Sequence, residues 1–147
     1  MRNIKYIAVH CTASSQHATI KELLLEFKRK GWSKPGYHHI VDVNGKVFNT
    51  LSEDEVSNGV KGFNSNIINV AYIGGIDAKG KPVDNRTEEQ KKSLLLLLKA
   101  LKKKYPNAVI QGHRDFSPDT NKNGIVDPWE RIKACPCFDA KVEYKNL

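Results

Sequence analysis

Two helix patterns, each opened by a capping box, alternate with short apolar segments along this 147-residue chain. In a capping box a threonine is followed three residues later by Glu or Gln, as in Thr19 with Glu22 and Thr87 with Gln90. Apolar residues then recur three and four positions apart, a spacing that is typical of a helix with one buried face. The sequence therefore predicts two amphipathic helices that pack against a common core.

The apolar segments between and around these helices are rich in strand-forming residues. They predict strands at residues 4–10, 37–43, 46–50, 67–73 and 108–110. The second and third flank Asn44-Gly45, a strong hairpin signal because both central residues of a type I′ turn need a positive φ. Strands that alternate with helices, together with one hairpin, predict an α/β fold. We expect a single domain over residues 1–147, with a mixed central sheet flanked by helices.

Composition and charge narrow the class of protein. The chain is 39% hydrophobic and 27% charged, which is ordinary for a globular protein. Its longest apolar run, residues 94–98, is far below the ~18–20 residues of a membrane span, and no secretory signal is visible near the N-terminus. A net charge of +8 favours polyanionic partners, but no basic stripe interleaved with aromatic residues suggests nucleic acid.

Three cysteines, Cys11, Cys135 and Cys137, are an odd number that argues against a disulfide framework and for thiols kept for packing or metal binding. His10 closes the first predicted strand, and His113 follows the last one. Two imidazoles and one thiolate, from Cys135, make a three-ligand zinc site with the fourth tetrahedral position free for water. Strand ends would hold such a site rigidly, in a cleft at the sheet edge.

Other histidines and cysteines compete for these roles. Cys137 lies on the same face as Cys135 if the segment is extended, so it could replace Cys135 as a ligand. Strand alternation puts Tyr37 and His39 on one face and His38 on the other. We expect His38 to be structural or to support a ligand, and His39 at most to line the cleft.

Five short motifs carry a family resemblance. They are Ala8-Val-His10-Cys-Thr-Ala, Gly36-Tyr37-His38-His39-Ile, Gly74-Gly, Gly112-His113-Arg-Asp and Lys133-Ala-Cys135-Pro. Their order and type resemble the motif series of the zinc-dependent N-acetylmuramoyl-L-alanine amidases. This is the type 2 amidase family, which includes amidase-type phage lysozymes and the peptidoglycan recognition proteins. The resemblance spans residues 8–139.

The resemblance implies a role for each matching residue. His10, His113 and Cys135 stand where the family's Zn²⁺ ligands stand, Tyr37 matches its catalytic tyrosine, and Lys133 matches the lysine two residues before the cysteine in the phage enzymes. The implied reaction is hydrolysis, by zinc-activated water, of the amide that joins N-acetylmuramic acid to L-alanine of the peptidoglycan stem peptide. In an extended segment the ammonium of Lys133 would lie beside the metal, where an oxyanion develops.

A second metal pattern lies between residues 113 and 133. It fits the calcium loop of an EF-hand, with Gly124 at the sharp turn. The candidate Ca²⁺ ligands are Asp119, Asn121, Asn123, Ile125, Asp127 and Glu130. The flanking segments do not both read as helices, and a loop rich in Asx turns is the alternative. If calcium binds, we expect it to rigidify the approach to Lys133 and Cys135.

Two other functional classes stay open at this point. One is a peptidoglycan-binding module without turnover, against which Lys133 and Cys135 argue; the other is a calcium-regulated interaction domain on the same scaffold. For the amidase itself, the expected partner is a peptidoglycan or muropeptide substrate, with neither nucleic acid nor a membrane span, and the expected state is a monomer. Without an export signal, we expect a phage or prophage lysin-like protein that stays cytoplasmic until it is released or delivered to the cell wall.

Overall fold

A computed structural model describes residues 2–124, 126–131 and 133–147 of the chain. Over these residues the chain forms five strands and three α-helices, in the order β1 Tyr6–Cys11, α1 Ile20–Arg29, β2 His39–Val41, β3 Val47–Asn49, β4 Ile67–Tyr72, α2 Glu88–Lys104, β5 Val109–Gly112 and α3 Ala140–Glu143. Short 3-10 turns at Asn64–Asn66, His113–Phe116 and Pro128–Glu130 connect them. No helix in this part of the chain is long and apolar enough to cross a bilayer.

The strands form one mixed sheet in the order β3-β2-β4-β1-β5. Strand β3 runs antiparallel to β2, whereas β2, β4, β1 and β5 run parallel to one another. Tyr6 of β1 pairs with Ile67 of β4 on one side and with Val109 of β5 on the other. The predicted fold class, a mixed sheet flanked by helices, is confirmed.

The two faces of the sheet carry different partners because successive side chains alternate. One face packs on α2 and α3 through Ile7, Val9, Cys11, Val70, Tyr72, Leu94, Leu98, Leu101, Ala140 and Tyr144. On the other face Ile40 and Ile73 pack against Leu23 of α1. His10 lies in register with Ala71, which is paired with Ile40. His10 therefore belongs to the face that α1 covers.

Both predicted N-caps form, but only the one at Thr87 is a complete capping box, because the Glu22 carboxylate accepts from the Thr19 hydroxyl and not from its backbone N–H. Thr19 Oγ1 accepts a hydrogen bond from the Glu22 backbone N–H at 3.2 Å, and Thr87 Oγ1 accepts one from that of Gln90 at 3.1 Å. Gln90 completes the second box, because its Oε1 accepts from the Thr87 N–H at 3.0 Å. These bonds satisfy backbone donors that a helix leaves unpaired at its start, so the two helices begin where the sequence places them.

The hairpin forms, but the predicted type I′ turn is wrong. Gly45 has a φ of +83°, whereas Asn44 is not among the residues with positive φ. The Gly45 N–H donates to the Asp42 carbonyl at 2.9 Å, and the Asp42 carboxylate accepts from the N–H groups of Asn44 and Lys46. The loop is thus longer than two residues, and the Asp42 side chain stabilises a turn that needs only the glycine in the left-handed region.

A buried arginine ties the C-terminal helix to the segment that precedes α2. The Arg86 side chain is 3% exposed and lies between the carboxylates of Asp84 and Glu143, at 2.9 and 2.8 Å. Its guanidinium carbon sits 3.4 Å from the ring centroid of Phe138. Since each guanidinium edge meets a carboxylate and the plane meets an aromatic ring, Arg86 fixes α3 against the core.

Replacing Arg86 with Met should therefore lower the free energy of unfolding by about 2–3 kcal/mol, because it leaves two partly buried carboxylates without their partner. Urea unfolding followed by circular dichroism measures the change. Arg29→Met is the matched control: its partner Glu26 is exposed, so the change should stay within about 0.5 kcal/mol. Equal stabilities of the two variants would contradict this role of Arg86.

Candidate metal and active site

Side chains of His10, His113 and Cys135 meet at the carboxyl ends of β1 and β5. These strands are parallel neighbours, with Val9 in register with Gly112, so the next residue of each, His10 and His113, lies on the same face. Their Nδ1 atoms are 3.2 Å apart, and the ligand atoms of all three residues lie within 4.8 Å of one another. The structure thus brings together three residues that the sequence separates by up to 125 positions.

Backbone contacts position the cysteine. The Arg114 N–H donates to the Cys135 carbonyl at 2.9 Å, which joins the segment after β5 to the cysteine-containing turn. From the other face of the sheet, the Tyr72 hydroxyl donates to the Pro136 carbonyl at 2.7 Å. The N–H of Cys11 donates to the Cys135 sulfur at 3.2 Å, which helps to fix the position of the sulfur.

The donor set fits zinc. Imidazole nitrogen and cysteine sulfur are the ligands that Zn²⁺ commonly takes in proteins, and bonds of about 2.0–2.1 Å in a tetrahedron put two nitrogens ~3.3 Å apart. The 3.2 Å between the two Nδ1 atoms matches that spacing. Among the described residues, this is the one group of three or more metal-ligating side chains that is close enough to share an ion.

Electrostatics keep both histidines ready to bind a cation. Burial lowers the pKa of His10 to about 4, and the positive charge of Lys133 acts in the same direction. Burial likewise lowers the pKa of His113 to about 3, with smaller contributions from His10 and Lys133. Both rings are therefore neutral near pH 7, and each offers a nitrogen lone pair.

The other two cysteines lie outside this group. Cys137 Sγ is 3.9 Å from Cys11 Sγ and 3.3 Å from the Gly75 carbonyl, so it faces away from the histidines. Cys11 is 4% exposed and packs in the main core. Of the two cysteines that the sequence left as alternatives, the structure places Cys135 with the histidines.

Neither His38 nor His39 reaches the candidate metal centre. His39 Nε2 lies 2.8 Å from a Glu53 carboxylate oxygen, and His39 is not among the residues that line the cleft, the most that the sequence allowed it. His38 is fully buried, and its Nδ1 accepts a hydrogen bond from the backbone N–H of Asn69 at 3.0 Å. Because Asn69 in turn contacts His10, this agrees with the expectation that His38 is structural or supports a ligand.

Tyr37 lies against the ligand set. Its ring centroid is 5.0 Å from that of His10 and 5.6 Å from that of Phe27, and its hydroxyl donates to the Cys11 carbonyl at 3.3 Å. Burial, reinforced by the nearby thiols of Cys135 and Cys11, raises the pKa of this phenol above its usual range. The hydroxyl is therefore protonated near pH 7 and serves as a hydrogen-bond donor.

An open cleft of about 400 Å³ lies in front of His113. Its lining includes Trp32, Asn58, Lys61, His113, Phe116 and Lys133. His10 is only 1% exposed and lies behind this surface. Lys133 is exposed at the cleft, and its positive charge lowers the pKa of both histidines.

Sequence reasoning missed three residues of this region. One is Asn69, whose side-chain oxygen Oδ1 is 2.7 Å from His10 Nε2. The others are Trp32 and Lys61, which line the cleft. Asn69 had a usable signal, since it is the polar residue in the otherwise apolar segment of β4, where a buried amide requires a partner. Trp32 and Lys61 carried no such signal, because surface residues show no periodic pattern.

Hydrogen bonds among its own residues close the loop that was predicted to bind calcium. The side-chain amides of Asn121 and Asn123 both donate to Asp127 Oδ2 at 2.9 Å. Glu130 Oε2 accepts from the Asn121 N–H at 3.0 Å, and Asp119 Oδ2 accepts from a loop N–H at 2.8 Å. Several of the side-chain oxygens that would have to bind calcium thus accept hydrogen bonds from within the loop.

The flanks of this loop also differ from a calcium-binding helix pair. It follows the short 3-10 turn His113–Phe116 and itself ends in the 3-10 turn Pro128–Glu130, so no α-helix that the structure describes adjoins it on either side. Ile125, whose carbonyl the prediction needs, lies outside the described residues. The acidic residues of the loop do not form a metal-ligating group in the part of the chain that is described. The calcium prediction gains no support.

Comparison with known proteins agrees with this geometry. The model of the N-acetylmuramoyl-L-alanine amidase family matches residues 1–136. The chain is 38% identical to an endolysin of Klebsiella phage KP32 over 137 residues, which is 92% of this chain and 82% of the relative. It is 39% identical to the Escherichia phage T7 endolysin, with the same two coverages.

A solved structure, the Ph2119 endolysin from Thermus scotoductus MAT2119 bacteriophage, has the same fold. It superposes with a TM-score of 0.70 at 28% identity and covers 92% of this chain and 79% of that one. The family match covers His10, His113 and Cys135. The chain belongs to the N-acetylmuramoyl-L-alanine amidase family.

Proposed function

We propose that this protein hydrolyses the amide between N-acetylmuramic acid and L-alanine in peptidoglycan, with a zinc ion held by His10, His113 and Cys135. The observation that carries the proposal is the convergence of two ring nitrogens and a thiol behind an open cleft, in a chain of the amidase family. The similar phage endolysins support peptidoglycan as the substrate. The complete ligand set favours turnover over a module that only binds.

The three ligands have complementary roles. His10 and His113 bind the cation as neutral imidazoles, and Cys135 contributes one negative charge, so the centre keeps a net positive charge. A zinc ion held by these three residues would polarise a carbonyl and lower the pKa of a bound water molecule. Burial of His10 and its fixed strand position hold the ligands in place before substrate arrives.

Lys133 supplies positive charge where the reaction develops negative charge. Attack on the planar amide produces a tetrahedral oxyanion, and a cation aimed at it lowers the barrier. The field of Lys133 already disfavours protonation of His10 and His113. A field that repels protons at this point attracts an anion there, so the ammonium stabilises the oxyanion.

Tyr37 acts as a neutral donor beside the ligands. Its hydroxyl is protonated and is held near His10 by a long hydrogen bond to the Cys11 carbonyl. A 3.3 Å bond is weak enough to be exchanged for one to the substrate or to the attacking water. Tyr37 therefore orients the water or donates to the oxyanion.

The surface charge suits the wall polymer. With a net charge of +8, and with Lys61 and Lys133 at the cleft, the protein attracts a substrate that carries carboxylates, although salt screens this attraction beyond ~10 Å. By analogy with the phage endolysins, we place its synthesis in the cytoplasm and its action at the cell wall after release. It acts as a monomer in this proposal.

Loss of a ligand should remove both zinc and activity. The purified protein should contain about one zinc per chain and release stem peptides from purified peptidoglycan, as metal analysis and chromatography of the soluble products measure. Cys135→Ser and His113→Ala should lose the metal and at least about 100-fold in turnover. Cys137→Ser, the matched thiol control, should keep both. Full activity in Cys135→Ser would contradict the assignment of ligands.

Removal of the Lys133 ammonium should lower the catalytic rate without affecting zinc binding. Lys133→Ala should retain zinc while kcat falls by roughly 10²–10³-fold, because a charge that stabilises only the oxyanion is lost. Lys79→Ala removes an exposed lysine away from the cleft and should leave kcat unchanged. If Lys133→Ala kept the wild-type kcat, the oxyanion role would be wrong.

Removal of one hydroxyl tests Tyr37. Tyr37→Phe keeps the ring that packs on His10 and Phe27, so the fold and the zinc content should persist while kcat falls about 10²-fold. Tyr105→Phe serves as the control, since its hydroxyl bonds to Glu53. A Tyr37→Phe enzyme as fast as the control would show that the hydroxyl takes no part in catalysis.

A further inference from the structure

His10 uses its two ring nitrogens in different directions. Nδ1 faces the Nδ1 of His113 at 3.2 Å, and Nε2 lies 2.7 Å from the side-chain oxygen of Asn69. Asn69 is completely buried, and His10 nearly so, so water does not compete for these contacts. Which nitrogen of His10 carries the proton therefore depends on which end of the Asn69 amide faces it.

A chain of hydrogen bonds that begins at a backbone carbonyl settles the direction of that amide. His38 Nε2 lies 2.7 Å from the Glu55 carbonyl oxygen, which can only accept, so His38 Nε2 carries the proton. Burial lowers the pKa of His38 to about 4, so its ring is neutral near pH 7 and Nδ1 has a lone pair. In agreement, His38 Nδ1 accepts from the backbone N–H of Asn69 at 3.0 Å.

The next two groups follow from this assignment. Ser57 Oγ lies 3.4 Å from His38 Nδ1, which lacks a proton, so in this contact only the serine hydroxyl can donate, as the weaker of two donors that share the lone pair, the other being the Asn69 N–H. The serine oxygen is then free to accept from the side-chain NH₂ of Asn69, which is 2.6 Å away. With its NH₂ directed at Ser57, Asn69 presents its carbonyl oxygen to His10, and an oxygen can only accept.

A missing side chain makes room for this amide. A Cβ built on Gly59 would lie 2.3–2.5 Å from the amide carbon, oxygen and nitrogen of Asn69. Contacts this short do not occur, so any larger residue at position 59 must displace the amide. The backbone of Gly59 does not lie in the left-handed region, so the requirement for glycine is one of space.

We propose that the chain Glu55–His38–Ser57–Asn69 fixes His10 as the Nε2–H tautomer and so aims its Nδ1 lone pair at the metal centre. Asn69 is a positioning residue in this arrangement: it touches neither metal nor substrate and acts through His10. The effect on zinc rests on the proposed function, whereas the tautomer of His10 is a property of the protein without metal. Partners behind a ligand of this kind typically change metal affinity by about 10–100-fold.

The first test needs only the wild-type protein in its zinc-free form. Long-range ¹H–¹⁵N correlation spectra of the imidazole rings distinguish the two neutral tautomers. His10 and His38 should each be a single Nε2–H species near pH 7. An Nδ1–H species, or a mixture of tautomers, at His10 would overturn the inference without any effect on the proposed hydrolysis.

The second test compares three variants by zinc competition with a chelator. Asn69→Leu removes the acceptor, and Gly59→Ala leaves Asn69 in place but displaces its amide; each should weaken zinc binding by about 10–100-fold and give a mixture of His10 tautomers. Asn69→Asp keeps an acceptor-only oxygen, so affinity should stay within about threefold of wild type. Far-ultraviolet circular dichroism confirms that each variant is folded.

The outcomes separate this inference from the proposed function. Wild-type affinity in both Asn69→Leu and Gly59→Ala would overturn the positioning role. Weak binding in Asn69→Asp equal to that in Asn69→Leu would also overturn it, because the acceptor would then be irrelevant. A wild-type protein that fails to bind zinc, yet shows the Nε2–H tautomer at His10, would refute zinc use while the hydrogen-bond chain stands.

Discussion

Parallel, in-register pairing of β1 with β4 and β5 is the constraint from which the site follows. Because β1 and β5 run in the same direction and Val9 pairs with Gly112, the next residues of both strands project from one face. A slip of one residue in either strand would turn its histidine towards α2 and separate the two ring nitrogens. The apolar face on α2 therefore determines the geometry of the polar face, because it holds Ile7 and Val9 in register.

Burial of polar groups is the second consequence of this architecture. A sheet covered on both faces leaves no water for a histidine or an amide in its interior, and an unpaired group there is costly. The structure satisfies His10, Asn69 and His38 through one another. Such a network orders a ligand before any metal is present, so the site gains rigidity from bonds that the fold requires in any case.

Local signals in the sequence are enough to predict the main helices and strands and the metal-ligating type of the residues at the strand ends. The N-caps at Thr19 and Thr87 act within one turn, and the apolar strands required only composition and length. The hairpin turn was mistaken because the Asp42 carboxylate, and not the Asn44-Gly45 pair alone, sets its geometry. Local reasoning fails where a side chain overrides a dipeptide preference.

Contacts between distant residues could not be derived in the same way. The pairing of His39 with Glu53, and the fit of Asn69 beside Gly59, depend on how loops cross the sheet. No spacing in the sequence encodes these approaches. The calcium pattern gains no support for a related reason, since its residues fit a twelve-position template while their hydrogen bonds serve the loop itself.

X-ray absorption at the zinc edge of the zinc-loaded protein tests the central claim most directly. The account predicts one sulfur at about 2.3 Å and three nitrogen or oxygen atoms at about 2.0–2.1 Å, two of them from imidazole rings. A shell with two sulfurs would place Cys137 or Cys11 on the metal beside Cys135. A shell with no sulfur would remove Cys135. Either result would contradict a centre built from His10, His113 and Cys135 with one position left open.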